Sequence, residues 1–404
     1  MSDDIDYHGS AMKCLVKYNV VMGDSIRIIA DLTYSGILMP RSGSADGKLV
    51  IKLGSGYNVG ISVDEIQEIQ VVSVPDVETQ QKLMKDSKWL KTGIETLPKI
   101  LLLGTGGTIA SNVDYRTGGV APALTAVDIK KQVPELKEIA NVDAEVLFSE
   151  HSENLQPEHW IKIAEKLHSL VDSDYKGILI LHGTDTMHYT SSFLSFALAG
   201  FPKPVALVGS QRSSDRPSSD GPQNLIAASK LLVRDNTKGI FLVMHHNDED
   251  HTVACHLGTR VRKNHTSKRE AFETVGGDPA FIVTPAWDHP ESQGLEILPN
   301  MKNDFFKDAE YNPRMKIDTK VALVKYHPGY DPKLIENLIQ TGCKAIIFEG
   351  TGLGHVGRTM YDVIKKAKEN DLFLGMTSQC IDGRVSMTVY ESGRDLLELG
   401  ITPL

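Results

Sequence analysis

The sequence predicts an α/β protein: a two-domain, parallel-sheet body preceded by a small N-terminal all-β, barrel-like module. Three observations predict it. At 404 residues the chain exceeds what one ordinary core encloses. Up to about residue 75 it runs in short alternating stretches, "SIRII", "SGILM", "KLVIKL" and "YNVGISV", punctuated by Gly, Ser and Asp, as small β modules do. After Pro98 apolar runs alternate with amphipathic stretches, the pattern of stacked βαβ units.

In order along the chain, residues 1–75 form the β module. Residues 76–98, "DVETQQKLMKDSKWLKTGIETLP", are polar and then partly helical, and read as a linker closed by Pro98. A first α/β domain occupies 99–300. Its strands are "KILLLG" (99–104), "AEVLFS" (144–149), "GILILHG" (177–183), "PVALVGS" (204–210) and "GIFLVMH" (239–245). Between them "QPEHWIKIAEKLHSLV" sets Trp160, Ile163, Ala164, Leu167 and Leu170 at helical spacing, with Pro157 in the first turn. From Asp248 to Pro299 the pattern loosens into a long polar connection. A second, smaller α/β domain, 301–404, holds "KVALVKY", "KAIIFEG" and "LFLGMTS" separated by "PKLIENLIQTG" and "RTMYDVIKKAKEND".

A composition of 41% hydrophobic and 24% charged residues is that of a soluble globular protein. No apolar stretch is long enough to span a bilayer, and "MSDDIDYHGS" has no leader character; the expected location is the cytoplasm, with no membrane partner. Cys14, Cys255, Cys343 and Cys380 lie far apart without a CxxC pair, which fits reduced thiols. Net charge is −9 with no Lys/Arg block, so this chain is not expected to supply the main grip on a nucleic acid.

The chemistry concentrates at strand ends. "GTGGTIASNVDY" (104–115) follows "KILLLG" and packs three glycines and two threonines into five positions. Ligands of open α/β sheets bind at the carboxyl ends of the strands. A dinucleotide fingerprint fails, because Ile109 stands where the third glycine belongs, and no phosphate-binding GxxxxGK loop occurs. A second hydroxyl-bearing turn, "LHGTDTMHYTSS" (181–192), puts Gly183, Thr184 and Asp185 just past another strand. Alone, Thr184 or Asp185 would cap the next helix; two such turns at one sheet edge instead predict a shared crevice and nucleophilic chemistry. A threonine hydroxyl needs a base, and Lys263 in "GTRVRKNHTSKREAF" can serve once desolvated beside a carboxylate. Backbone N–H groups near Gly106, Gly107 and Gly183 are candidates for holding an oxyanion. Either threonine, Thr108 or Thr184, can form the covalent bond on this reading.

"TGGTIAS", "HGTDTM" and "RVRKNHTS" together resemble the L-asparaginase/glutaminase family over residues 99–400. The resemblance implies an asparaginase-like two-domain α/β fold and side-chain amide hydrolysis through a threonine. It extends to "GSQRSSDRPSSDGPQNL" (209–225) and "SQCIDGRVSMTVYESGRDLLELG" (378–400). It implies Thr108 as nucleophile, Tyr115 as the lid tyrosine, and Thr184, Asp185 and Lys263 as the second threonine, its acid and the base. Ser152 and Glu153 in "EHSENL" would hold the substrate's α-carboxylate and α-amino groups, with Asp185 sharing the latter, and Gly107 and Gly183 would flank the substrate. The loop "EGTGLGHVG" (349–357) departs from some bacterial members in carrying Leu353 and His355 in place of asparagines.

With the N-terminal β module, the chain resembles the archaeal D subunits of glutamyl-tRNA(Gln) amidotransferase. That resemblance implies a glutaminase delivering ammonia to a partner, the E subunit of the amidotransferase, which uses ATP and Mg and holds most of the Glu-tRNA(Gln). It implies no cofactor on this chain and a homodimer within a heterotetramer. Three other readings compete: a free-standing L-asparaginase/glutaminase, a catalytically silent binding protein, and a metal hydrolase built on His245, His246, Asp248, Asp250 and His251. The histidine spacing does not suit a helical HExxH zinc site.

Overall fold

The computed structural model describes residues 7, 9–21, 24–38, 47–53, 58–73, 97–107, 111–113, 120–122, 133, 135–212, 219–249, 251–284, 295–297 and 309–404. Thr108, Tyr115, Asp250 and all of the expected linker except Leu97 and Pro98 lie outside the described residues. The chain divides into two compact units, residues 1–273 with 279–314, and residues 274–278 with 315–404.

The first unit begins with helix α1 (Gly9–Tyr18) and strands β1 (Ser25–Ile29), β2 (Thr33–Leu38), β3 (Lys48–Leu53), β4 (Asn58–Ser62) and β5 (Glu68–Ser73). The strands form an antiparallel sheet in the order β4-β3-β2-β1-β5. Helix α1 corrects the all-β reading of residues 1–75. Ala11 and Leu15, one helical turn apart, join Ile26, Ile28, Leu38, Leu49 and Ile51 in a single core. Tyr7 belongs to the same core and is tied to β3, where the Val50 N–H donates to Tyr7 Oη at 2.9 Å.

The larger sheet of this unit follows. Its elements are β6 (Lys99–Gly104), the hairpin strands β7 (Ser111–Val113) and β8 (Val120–Pro122), helix α2 (Leu136–Ile139), β9 (Asn141–Val146), α3 (Pro157–His168), β10 (Gly177–Leu181), α4 (Met187–Ala197), β11 (Pro204–Val208), α5 (Gly221–Val233) and β12 (Gly239–His245). Then come β13 (Val253–Leu257), β14 (Val261–Lys263), β15 (Phe272–Thr274), β16 (Phe281–Val283) and β17 (Leu295–Ile297). Eight strands run in the order β17-β16-β13-β12-β11-β10-β6-β9. The five from β9 to β12 are parallel, and β13, β16 and β17 are antiparallel additions.

Every residue of β10 and β11 is buried, which explains why they read as continuous apolar runs: helices cover both faces of a parallel sheet. Helix α3 starts on Pro157 and is boxed at its N-terminus, where the Gln156 N–H donates to His159 Nδ1 at 3.0 Å. Of the five residues the spacing set on one face, Ile163, Ala164 and Leu167 are buried within the helix and Leu170 just beyond its end, while Trp160 is half-buried. Residues 248–299 correct the sequence reading, since that polar connection contains the strands β13 to β17. They are short, five residues at most, and their turns supply the polar residues that blurred the pattern.

The second unit contains β18 (Val321–Lys325), α6 (Lys333–Gln340), β19 (Ala345–Gly350), α7 (Tyr361–Glu369), β20 (Phe373–Ser378), α8 (Glu391–Glu398) and β21 (Thr402–Pro403). Its four strands are parallel, in chain order. Ile335, Ile346, Phe348, Ile364 and Leu396 anchor its core.

At the carboxyl end of β6 the chain turns through Gly106 and Gly107, with φ of +117° and +89°. A side chain at Gly106 would overlap the Glu150 carbonyl in the loop after β9. Gly106→Ala is expected to cost more than about 3 kcal/mol of stability, from left-handed backbone strain plus that overlap. Urea unfolding of the two chains measures it; equal midpoints would remove the close approach from the account.

Candidate active site

Four loops meet at the carboxyl edge of the parallel strands, and the distance between them is set by absent side chains. A Cβ at Gly107 would lie 2.5 Å from the Gly183 nitrogen and 2.6 Å from the His182 carbonyl carbon. At Gly183 it would lie 2.7 Å from the Ser152 Cβ, and at Gly209 2.8 Å from the Thr184 Cγ2. All are distances that real Cβ atoms essentially never show. The loops after β6, β9, β10 and β11 are therefore in backbone contact, and glycine is the residue that permits it. Side-chain hydrogen bonds hold the same seam. Thr105 Oγ1 donates to the Leu181 carbonyl at 2.7 Å, and Thr186 Oγ1 to the Ser152 carbonyl at 2.7 Å.

Into this seam β14 delivers Lys263. Its Nζ donates to Thr184 Oγ1 at 2.8 Å, to Asp185 Oδ1 at 2.7 Å and, at a longer 3.4 Å, to Gln211 Oε1. The lysine side chain is only 8% exposed, whereas Asp185 is 67% exposed. A buried cation is costly unless paired and hydrogen-bonded, and here it has an anion and two neutral acceptors. Asp185 keeps its outer face open to solvent.

The loop after β11 is held by Asp220, fully buried just before α5. Its carboxylate accepts from Ser210 Oγ at 2.9 Å and from the Arg212 N–H at 3.1 Å. The Gln211 N–H is shared between its two oxygens at 3.0 and 3.1 Å, and Asn224 Nδ2 completes the set at 3.0 Å. Five contacts on one desolvated carboxylate replace the water it has lost.

Two histidines flank the site without sharing its chemistry. His182 is fully buried. Its Nδ1 faces the Gly183 carbonyl at 2.6 Å and so donates, leaving Nε2 to accept from Thr190 Oγ1 at 2.8 Å. That is a neutral imidazole, and burial pushes its pKa down to about 4. His188 on α4 is also lowered to about 4, by burial first and then by the positive charges of Arg262 and Lys263.

Of the residues singled out in the sequence, Thr184, Asp185 and Lys263 are brought into direct contact. Gly107, Gly183 and Ser152 line the same seam, with Ser152 buried and Glu153 exposed in the turn Ser152–Asn154. Leu353 and His355 lie half-buried after β19 in the second unit. His245 is buried at the end of β12 while His246, Asp248 and His251 are exposed, and no metal-holding group of three such side chains occurs among the described residues. Sequence reasoning passed over Gln211, Asp220, Gly209 and His182. The segment 209–225 was visible as a family resemblance, but no spacing rule says which of its residues faces Lys263.

Comparison with known proteins adds an independent line. Residues 99–289 match "Asparaginase, N-terminal", residues 320–403 "Glutaminase/Asparaginase C-terminal domain", and residues 20–72 "GatD N-terminal domain". The chain is 43% identical over 400 residues to the D subunit of the glutamyl-tRNA(Gln) amidotransferase of Sulfurisphaera tokodaii, covering 98% of this chain and 86% of that one. It is 42% identical to the corresponding D subunit of Pyrococcus furiosus, covering 96% and 87%. Among solved structures, the thermostable L-asparaginase from Thermococcus kodakarensis superposes with a TM-score of 0.66 at 31% identity, covering 76% of this chain and 87% of that one.

The depressed His182 pKa has a consequence for stability. Above the ordinary histidine value of 6.5 both folded and unfolded imidazoles are neutral and the group contributes no pH dependence. As pH falls below 6.5 the unfolded chain takes the proton first, so stability is lost progressively down to about 4. The loss assigned to His182 is about 3 kcal/mol. In urea titrations across this window His182→Gln should show a correspondingly shallower pH slope than the parent; parallel slopes would contradict the assignment.

Proposed function

As the chain belongs to the family of glutamyl-tRNA(Gln) amidotransferase D subunits, built on an asparaginase body, we propose that it is the glutaminase half of a tRNA-dependent amidotransferase. It hydrolyses the side-chain amide of glutamine and supplies ammonia to a partner that converts Glu-tRNA(Gln) to Gln-tRNA(Gln). The observation that carries the chemistry is the buried Lys263 in simultaneous contact with Thr184 and Asp185.

In this reading Lys263, as the free amine, takes the proton of the Thr184 hydroxyl, and Asp185 steadies the ammonium that forms. Thr108, next in sequence to Gly107, is the nucleophile that resemblance assigns, and as it attacks its hydroxyl proton passes to Thr184 Oγ1 while the proton of Thr184 passes to Lys263. This attack on the amide carbon gives a tetrahedral oxyanion held by backbone N–H groups of the glycine seam at Gly107 and Gly183. Collapse breaks the C–N bond as the Lys263 ammonium gives its proton to the leaving nitrogen, so ammonia departs and an acyl-enzyme remains, which water converts to glutamate and free Thr108. Ser152 and Glu153 receive the α-carboxylate and α-amino groups, with the exposed oxygen of Asp185 sharing the amine, and Tyr115 closes over the substrate. Asparagine is the shorter alternative substrate, separated by about one methylene of pocket length.

The partner is the amidotransferase E subunit, which uses ATP and Mg; a homodimer of this chain joins two copies of that partner in a cytoplasmic heterotetramer. Net charge −9 supports a division of labour in which the partner bears most of the tRNA. Residues 1–75 form the module that distinguishes this chain from simple asparaginases, joined by 76–98 to catalytic domains at 99–300 and 301–404. A free-standing asparaginase fits less well, because the likeness to the D subunits extends through the N-terminal match at 20–72.

Thr184→Ala and Lys263→Met should each lower glutamine hydrolysis by about a thousandfold or more while the chain stays folded. Thr108→Ala tests the nucleophile in the same assay, and wild-type turnover in any of the three removes that residue from the mechanism. Ammonia release from glutamine should rise several-fold when the E subunit, ATP and Glu-tRNA(Gln) are added together. Full activity of the isolated chain, indifferent to these additions, would favour an ordinary amidohydrolase.

A further inference from the structure

The segment 209–225 reaches the catalytic lysine through one side chain. Gln211 Oε1 is the third acceptor on Lys263 Nζ, beside Thr184 and Asp185. The amide oxygen, rather than its nitrogen, matches the N–H donors that Nζ carries in either protonation state. The Gln211 Nε2 is buried with no hydrogen-bond partner among the described residues, so nothing at the other end of the amide competes for its orientation. The backbone beneath it does not drift, since both oxygens of the buried Asp220 accept from the Gln211 N–H and one of them also accepts from the Arg212 N–H.

A charged lysine has three N–H groups, whereas the amine has two and a lone pair. As a base the amine must turn that lone pair toward Thr184 Oγ1, and a methylene-linked amine rotates freely unless its two N–H groups are engaged. Asp185 can engage one. We propose that Gln211 is a positioning residue that engages the other, so that the neutral Lys263 amine presents its lone pair to the Thr184 hydroxyl. When the O–H bond of Thr184 breaks, the proton joins Nζ and the bonding pair stays on Oγ1. The resulting ammonium then has its three donors matched to Thr184 Oγ1, Asp185 and Gln211. This inference rests on the reading of Lys263 as the base.

Among the described residues, the charged and titratable groups set near Lys263 are Asp185 ahead of α4, His188 on α4 and Arg262 beside it on β14. None of them is changed by substituting Gln211. A neutral acceptor there favours the ammonium moderately. Gln211→Met removes it, and Gln211→Glu replaces it with an anion of nearly the same shape.

The test is the pH–rate profile for glutamine hydrolysis by the full chain assembled with its amidotransferase partner. Gln211→Met should lower kcat about tenfold or more with KM little changed, and should move the acid limb to lower pH. Gln211→Glu should move that limb to higher pH, a reversal that a merely structural role for the side chain does not produce. Limbs that stay put in folded variants overturn the proposal. Should Gln211→Met fail to fold, the near-isosteric Gln211→Glu decides alone by the direction of its shift. Lys263→Met run alongside separates the two levels. Wild-type turnover there overturns the base reading and this inference with it, whereas loss of activity combined with unmoved Gln211 limbs overturns the role of Gln211 alone.

Discussion

Backbone-to-backbone contact at the carboxyl edge of the parallel sheet is the constraint on which the rest depends. Gly106, Gly107, Gly183 and Gly209 come from three loops, and each sits where a β-carbon would collide with a neighbouring loop. Because main chain meets main chain, there is no flexible layer between the loops to absorb error. The side chains that emerge from the seam inherit the precision of the sheet, which is what a hydroxyl, a carboxylate and an amine need if a proton is to move between them.

Electrostatics then follows from geometry. Lys263 is enclosed and Asp185 is open. An enclosed pair would bury both charges, whereas here the enclosed lysine faces an anion whose outer side is in solvent. The deeper carboxylate, Asp220, has its oxygens occupied by neutral N–H and O–H donors. Two acids within one sheet edge thus do different work because one is surrounded by water and the other by N–H and O–H groups.

Much of this was legible in the sequence, for reasons that can be named. The parallel strands announced themselves as apolar runs because both their faces are covered, and α3 because Pro157 and the spacing of Ile163, Ala164 and Leu167 coincide with its start and its buried face. Thr184 and Asp185 were legible because two turns bearing glycine and hydroxyls end strands of one sheet, whereas Lys263 stood out only as a candidate base for them and through the family resemblance. Helix α1 was hidden by the strand-like brevity of its surroundings, and β13 to β17 by their shortness and by polar turns. Gln211 and Asp220 were hidden for a different reason. The significance of Gln211 lies in a contact between segments 52 residues apart, which no local periodicity encodes, and Asp220 matters only through the loop it holds beneath that contact.

The antiparallel half of the larger sheet changes when the site can exist. Thr184 and Lys263 are separated by 79 residues, and between them the chain must add β11, lay down β12 and double back through β13 before β14 can bring the amine to the hydroxyl. Contacts of such long sequence separation form late, because loop closure precedes any reward from them. A nascent or half-assembled chain therefore carries Thr184 without Lys263 beside it. The contact between Thr184, Asp185 and Lys263 is absent from such a chain until these late strands have docked.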